Sequence, residues 1–393
     1  MFENKNENRP LSKLHLWVMT IATGMVVANL YYNQPLLSEI AGYYKVSAGE
    51  VGLISMLTQI GYATGMFFII PLGDMVKRKK LIIIDFAMII ISLLLAAFSP
   101  TIHFLMFASF LIGCTSVVPQ LLVPMAAHLS PPEQRGKTVG FIMSGLLIGV
   151  LLSRTISGYV GAAYGWRAMF LIAAGAMVVL WILLYFLLPE VYPDFKESYL
   201  KLMRSLVTLV REEPLLRLAS IRGSLCYACF GAFWTTLVLL LSQPPFNKGS
   251  EVAGAFGLVG AAGALGAPLM GRLSDKGHPH RITAVTIALV VFSFVIFGLF
   301  STSMIALIIG VILFDLGVQA THISNQTLIF SLRPDARNRL NTVYMVSYFI
   351  GGATGTFLAT QAWHKYQWNG VVFIGLVFSS LALIIHLILT RKL

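Results

Sequence analysis

Charge is what this chain has least of. Asp, Glu, Lys and Arg supply 11% of its 393 residues while 57% are hydrophobic. With a mean hydropathy of +0.80, too little polar surface is left to clothe a soluble protein of that size. Cysteine is almost missing as well. Cys114, Cys226 and Cys229 all fall in apolar stretches, and Cys226-x-x-Cys229 lacks the second pair that zinc or redox chemistry requires, so it reads as two packed thiols. No phosphate-binding loop is present: "RGKT" at 135–138 has Pro131 where that motif needs glycine. A nucleotide-driven pump is therefore not expected, and a gradient is the expected energy source. "DKGHPH" brings Asp275, His278 and His280 together, but the spacing is short and no further ligand lies near. A loop variant is expected there, with no metal and no cofactor.

What the chain has in abundance is apolar runs of about 20 residues, the length that crosses a hydrocarbon core as helix. They lie near 14–40, 51–72, 81–99, 102–127, 138–163, 168–189, 214–242, 252–270, 282–300, 304–330, 342–363 and 370–390. Twelve such spans predict an all-α membrane protein with the lipid bilayer as its first partner. The first has a basic lead-in but no small-residue cleavage site, so it is kept as a helix rather than a removable signal. Lys and Arg sort cleanly between alternate connections. One set holds Lys77 to Lys80, Arg135 and Lys137, Lys201, Arg204 and Arg211, Arg333, Arg337 and Arg339, and the basic residues of both ends; the other holds only Lys45, Arg167, Lys248 and Lys365. Positive loops stay cytoplasmic, so both termini are expected there, in a multi-pass protein of a bacterial inner membrane. The net charge of +12 is on this reading a topology signal, and no nucleic acid is expected as a partner.

The chain repeats itself. Asp74 in "PLGDMVKRKK" and Asp275 in "PLMGRLSDKGHPHR" stand 201 positions apart, while Glu133 and Asp335, and Arg135 and Arg337, stand 202 apart. Two unrelated loop pairs sharing one offset point to a duplicated six-helix unit: an N-terminal bundle over 1–189, a C-terminal bundle over 214–393, and a charged connection over 190–213 that can form an amphipathic helix. These loops carry a resemblance to the major facilitator superfamily, covering the whole chain. Its loop motif, roughly G-x-L-x-D-R-x-G-R-K, is matched by Gly271, Leu273, Asp275, Lys276 and Gly277 in the second half. Leu72, Asp74, Arg78 and Lys79 match in the first, where Ile70, Met75 and Lys77 replace the expected residues. The resemblance implies the major facilitator fold, with Asp74, Arg78, Gly271 and Asp275 as gate residues. "ANLYYNQPLL", "DLGVQATHISNQTLIF" and "RNRLNTVYM" are further similar to a branch near drug:proton antiporters and sugar or nucleoside exporters. That likeness implies proton-coupled export of a small organic solute by a monomer.

Polar residues inside spans point the same way. Asn29, Tyr32 and Asn33, at steps of three and four, would share one helix side with Tyr31 and Gln34 flanking it; Asp315, Gln319, His322 and Gln326 repeat the pattern in span ten. Such faces cannot point at lipid, because unpaired polar groups in hydrocarbon cost several kcal/mol. In the resembled family spans one, four, seven and ten line a central cavity, which adds Gln120 from span four and Arg222, Tyr227, Phe230 and Trp234 from span seven. The expected solute-binding set is therefore Asn29, Tyr32, Asn33, Gln120, Tyr227, Trp234, Gln319 and Gln326, suited to a solute with a flat or apolar part and hydrogen-bonding edges. Arg154 and Asp315 lie at one depth, counted at about 1.5 Å per residue, and are expected to pair; His322 would relay the proton that Asp315 takes. Import, facilitated diffusion or lipid flipping would use the same cavity and stay open as alternatives. A sensor would need an output domain, and an enzyme a nucleophile positioned near Asp315 and His322; neither is found.

Overall fold

The computed structural model describes residues 12–191, 198–275, 279–333 and 336–390, without the side chains of 74, 132, 267–275 and 279. Its helices are α1 (Lys13–Ala28), α2 (Leu37–Tyr44), α3 (Ala48–Phe68), α4 (Arg78–Ala97), α5 (Ile102–Thr115), α6 (Val118–Leu129) and α7 (Arg135–Tyr164). They continue as α8 (Trp166–Leu187), α9 (Tyr199–Glu212), α10 (Pro214–Leu241), α11 (Ser250–Asp275), α12 (Pro279–Leu299), α13 (Met304–Leu332) and α14 (Arg337–Leu389).

Among the described residues nine helical segments are long and apolar enough to cross a membrane. Two of them hide a second feature. The stretch α5–α6 is one crossing broken at Ser116 and Val117, where Pro119 restarts the helix. The 53 residues of α14 would extend about 80 Å, far beyond one bilayer. Its Gln367, at φ 49° and ψ −141°, turns the chain back instead. Trp363 and Trp368 then pack ring to ring across the reversal. With α11 and the broken first span α1–α2, the fold has its twelve crossings, in two pseudo-symmetric six-helix bundles. The starts are set by local chemistry: Ser47 and Glu50 form a reciprocal capping box at α3, and the hydroxyls of Thr101, Ser198 and Ser303 cap α5, α9 and α13.

An even number of crossings puts the start of α1 and the end of α14 on one membrane face, the terminal face, together with α9. That helix buries Leu202, Leu206 and Leu209 while Arg204 and Arg211 face outward, and Tyr199 Oη ties its start to the Phe68 carbonyl at 3.1 Å. The two bundles meet along α3 with α14 and α7 with α11. At the second contact Gly158 lets the backbones touch, since a Cβ there would collide with the Ser250 carbonyl and the Gly254 Cα. Thr155 Oγ1 donates to the Gly254 carbonyl at 2.9 Å across the same contact.

Candidate functional site

Between the bundles a cavity of about 660 Å³ opens toward the terminal face; Met66, Gln120, Met143, His322, Gln326 and Met345 are among its walls. Toward the far face it ends at an aromatic floor. Tyr31 Oη and Tyr227 Oη meet at 3.1 Å, Tyr227 stacks on Tyr348 with centroids 3.9 Å apart, and Tyr62 packs on Phe349 at 4.4 Å. Each of the Tyr31–Tyr227 and Tyr62–Phe349 contacts crosses from one bundle to the other. So does the bond from Gln59 Nε2 to Thr356 Oγ1 at 3.1 Å.

Beyond that floor lie two buried charged side chains, Arg154 and Asp315. Arg154 of α7 is 2% exposed and ten residues from the far-face end of its helix; Asp315 is eleven from that end of α13. Both stand near mid-membrane, at the common depth expected from sequence. They do not pair directly. Trp234 of α10 comes between them: its ring lies 4.2 Å from the guanidinium carbon, and its indole N–H donates to Asp315 Oδ1 at 3.3 Å. The expectation of a direct ion pair is therefore corrected. Tyr31 and Phe230 complete the cage at 4.7 and 5.2 Å, and Gln34 Oε1 accepts from Arg154 Nε at 2.8 Å. Desolvated cation–π contacts are worth about 2 kcal/mol, so an aromatic cage can hold the charge where a carboxylate does not touch it. Arg154 Nη2 has no partner among the described residues. Gly260 of α11 makes the room, because a Cβ there would strike the Asp315 carboxylate and the Trp234 ring. Farther out, Ser250 Oγ donates to Glu39 Oε1 and lies 3.1 Å from the Gly158 carbonyl, closing the far face.

The expected binding set divides. Gln120 and Gln326 line the cavity; Gln319 is half-buried on the same helix outside its walls; Tyr227 and Trp234 are buried in and beyond the floor. Asn29, Tyr32 and Asn33 do not line the cavity, which corrects the helical stripe. Asn29 Nδ2 points at Met177 Sδ, 3.8 Å away, and Ser157 Oγ donates to the Tyr32 carbonyl. Asn33 accepts from Ser55 Oγ at 2.5 Å and donates to Thr58 Oγ1 at 3.2 Å. The reason is local. α1 stops at Ala28, and Asn29, Leu30, Tyr31, Gln34 and Leu36 bond three residues back rather than four. Pro35 brings no N–H to continue the α pattern. With three residues per turn, positions i and i+3 eclipse, so Tyr31 and Gln34 share the inward face that the stripe assigned to their neighbours.

Other expected residues fare unevenly. His322 lines the cavity, with Nδ1 3.0 Å from Tyr344 Oη. Arg222 does not line it; it is buried between Asn325 and His386. Of the gate residues, Arg78 lines the cavity mouth and donates Nε to the Gly73 carbonyl at 3.2 Å, whereas the side chains of Asp74, Gly271 and Asp275 lie outside the described residues. Sequence reading passed over Asp85 of α4, 4% exposed and with Oδ2 lacking a partner among the described residues. A single acid in an otherwise apolar span was the signal for it.

A family model described as Major Facilitator Superfamily matches residues 17–356 and 223–392. The putative uncharacterized transporter YgaY of Escherichia coli (strain K12) is 42% identical over 378 residues, 96% of each chain. A probable sugar efflux transporter of Helicobacter acinonychis is 22% identical over 389 residues, 98% of this chain and 97% of that one. Among solved structures, a bacterial homolog to the human lysosomal transporter Spinster, in its inward-facing and occupied conformation, superposes with a TM-score of 0.79 at 14% identity over 96% of each chain. The nucleoside transporter NupG does so at 0.77 and 13%, over 95% of this chain and 99% of its own.

Proposed function

We propose that this chain, which belongs to the Major Facilitator Superfamily, exports a small organic solute from the bacterial cytoplasm by alternating access, in exchange for protons. The observation that carries the proposal is an asymmetry. The cavity opens on the terminal face, while the bundles are shut against each other beyond its floor by the Arg154, Trp234 and Asp315 cluster. The Lys and Arg distribution supports a cytoplasmic terminal face. On that orientation the cavity is loaded from the cytoplasm and emptied outside once the seam opens. Export is favoured by the sugar efflux transporters among the relatives.

In the proposed cycle the bundles of 1–189 and 214–393 rock about the solute, with 190–213 as tether and the Asp74–Arg78 connection and the Gly271–Asp275 end of α11 as cytoplasmic gates. Asp315 is the proton acceptor. Ionised, it holds Trp234 by a charge-assisted hydrogen bond and offsets the charge of Arg154 across the indole. Protonated, it loses that charge, and the seam holds less tightly. Gln120 and Gln326 receive the solute. The test is Asp315→Asn in proteoliposomes. The amide oxygen can still accept from Trp234, so the fold survives. Passive solute exchange is expected to persist while accumulation driven by a pH gradient is lost. Gradient-driven accumulation at the wild-type level would remove Asp315 from coupling.

A further inference from the structure

A guanidinium can only donate hydrogen bonds, so a chain of bonds that begins at a buried arginine has a fixed direction. Arg222 of α10 is 2% exposed. Its Nε donates to Asn325 Oδ1 at 2.7 Å and its Nη2 is directed at the same oxygen. That assigns the amide: the atom of Asn325 facing Tyr344 is the nitrogen, and it donates to Tyr344 Oη at 3.4 Å. Tyr344 Oη, an acceptor on that side, has its own proton left for His322 Nδ1 at 3.0 Å. Where the phenol gives that proton to Nδ1, the imidazole is neutral and its ring proton sits on Nε2. A second branch obeys the same rule. Arg222 Nη1 donates to His386 Nδ1 at 2.9 Å, which leaves Nε2–H of His386 to donate to the His280 carbonyl at 2.8 Å.

We infer that Arg222, acting through Asn325 and Tyr344, fixes His322 as the Nε2–H tautomer, so that His322 is a hydrogen-bond donor to an acceptor oxygen of the solute. His322 lines the cavity, its ring is stacked on Tyr344 and held against Tyr348, and Nε2 has no hydrogen-bond partner among the described residues. Gln120 and Gln326 stand on the same walls, and no Asp or Glu does among the described residues. The ligand chemistry that fits is a carbonyl, carboxylate or hydroxyl oxygen on a flat or apolar body. Arg222, Asn325 and Tyr344 are positioning residues; His322 touches the solute, and the proton step stays with Asp315. The inference rests on reading the cavity as the solute path.

The test is the nitrogen spectrum of the full-length protein carrying 15N-histidine, with the His322 signals assigned by their disappearance in His322→Gln. A pyridine-type Nδ1 and a pyrrole-type Nε2 are expected. The reverse tautomer, or an imidazolium at neutral pH, would overturn the inference. Tyr344→Phe, which leaves Arg222 and Asn325 paired, is expected to turn the single tautomer into a mixture; an unchanged spectrum would show that the chain does not set it. Sodium benzoate, a flat body with acceptor oxygens, is then compared with benzylammonium chloride, the same body with donors only. Benzoate is expected to move Nε2 saturably and benzylammonium to leave it. An inert benzoate, or equal responses, would overturn the recognition role. The tautomer is read without any transport, so a failed flux assay with the expected spectrum counts against the transport reading alone, and the converse result against this inference alone.

Discussion

Asn33 and Trp234 are both buried polar side chains in spans, yet they do different work. Asn33 satisfies Ser55 and Thr58 within its own bundle, so its loss is a matter of stability. Leaving a buried donor or acceptor unsatisfied costs about 1–3 kcal/mol. Asn33→Ala is therefore expected to lower the melting temperature of the purified protein while solute affinity stays unchanged; weakened affinity at an unchanged melting temperature would return Asn33 to the binding wall. Trp234 joins Arg154 of one bundle to Asp315 of the other. Trp234→Phe keeps an aromatic face for the guanidinium but drops the N–H. A hydrogen bond to a charged group contributes about 1.5–3 kcal/mol, so gradient-driven flux is expected to fall roughly tenfold or more. Trp234→Leu removes the cation–π contact as well, about 2 kcal/mol further, and is expected to be the more damaging; equal losses would deny the ring a separate part.

At the scale of elements, legibility followed regularity. α13 is an unbroken helix, so counting by three and four placed Asp315, Gln319, His322 and Gln326 on one face, and two of the four, His322 and Gln326, do line the cavity. Span one leaves the α pattern at Asn29, and the same counting chose the wrong side, because a run of three-residue bonds ahead of Pro35 cannot be told from α-helix by polarity alone. Tyr344 and Asn325 were missed for another reason: their roles come from what Arg222 forces on them, and that is a fact of contact rather than spacing. Among the glycines of α11, Gly254 meets the α7 backbone. Gly260 has the sharper part, as the space in which Asp315 and Trp234 meet. Gly260→Val is expected to force that pair apart at a cost of about 1–3 kcal/mol, depressing flux in proteoliposomes while the protein still inserts. Undiminished flux would show that the pair tolerates separation.

For the whole molecule, charge asymmetry and the 201–202 offset carried the architecture, because both are properties of many residues at once and survive local error. What they could not carry was which side of the cavity is shut. That depends on contacts such as Tyr31 with Tyr227 and Ser250 with Glu39, made between residues far apart in sequence. The central proposal is that these contacts open and close in alternation with the cavity mouth, under the control of Asp315. Lys45 and Lys248 are exposed on the far face, one in each bundle, and Gln134 and Asn338 are exposed on the terminal face. Spin labels on Lys45→Cys with Lys248→Cys, and separately on Gln134→Cys with Asn338→Cys, report the two mouths by electron–electron distance once Cys114, Cys226 and Cys229 are replaced. In the Asp315→Asn background the far-face distance is expected to lengthen and the terminal-face distance to shorten relative to the wild type. Distances that stay fixed, or that change in the same direction at both faces, would contradict alternating access controlled at Asp315.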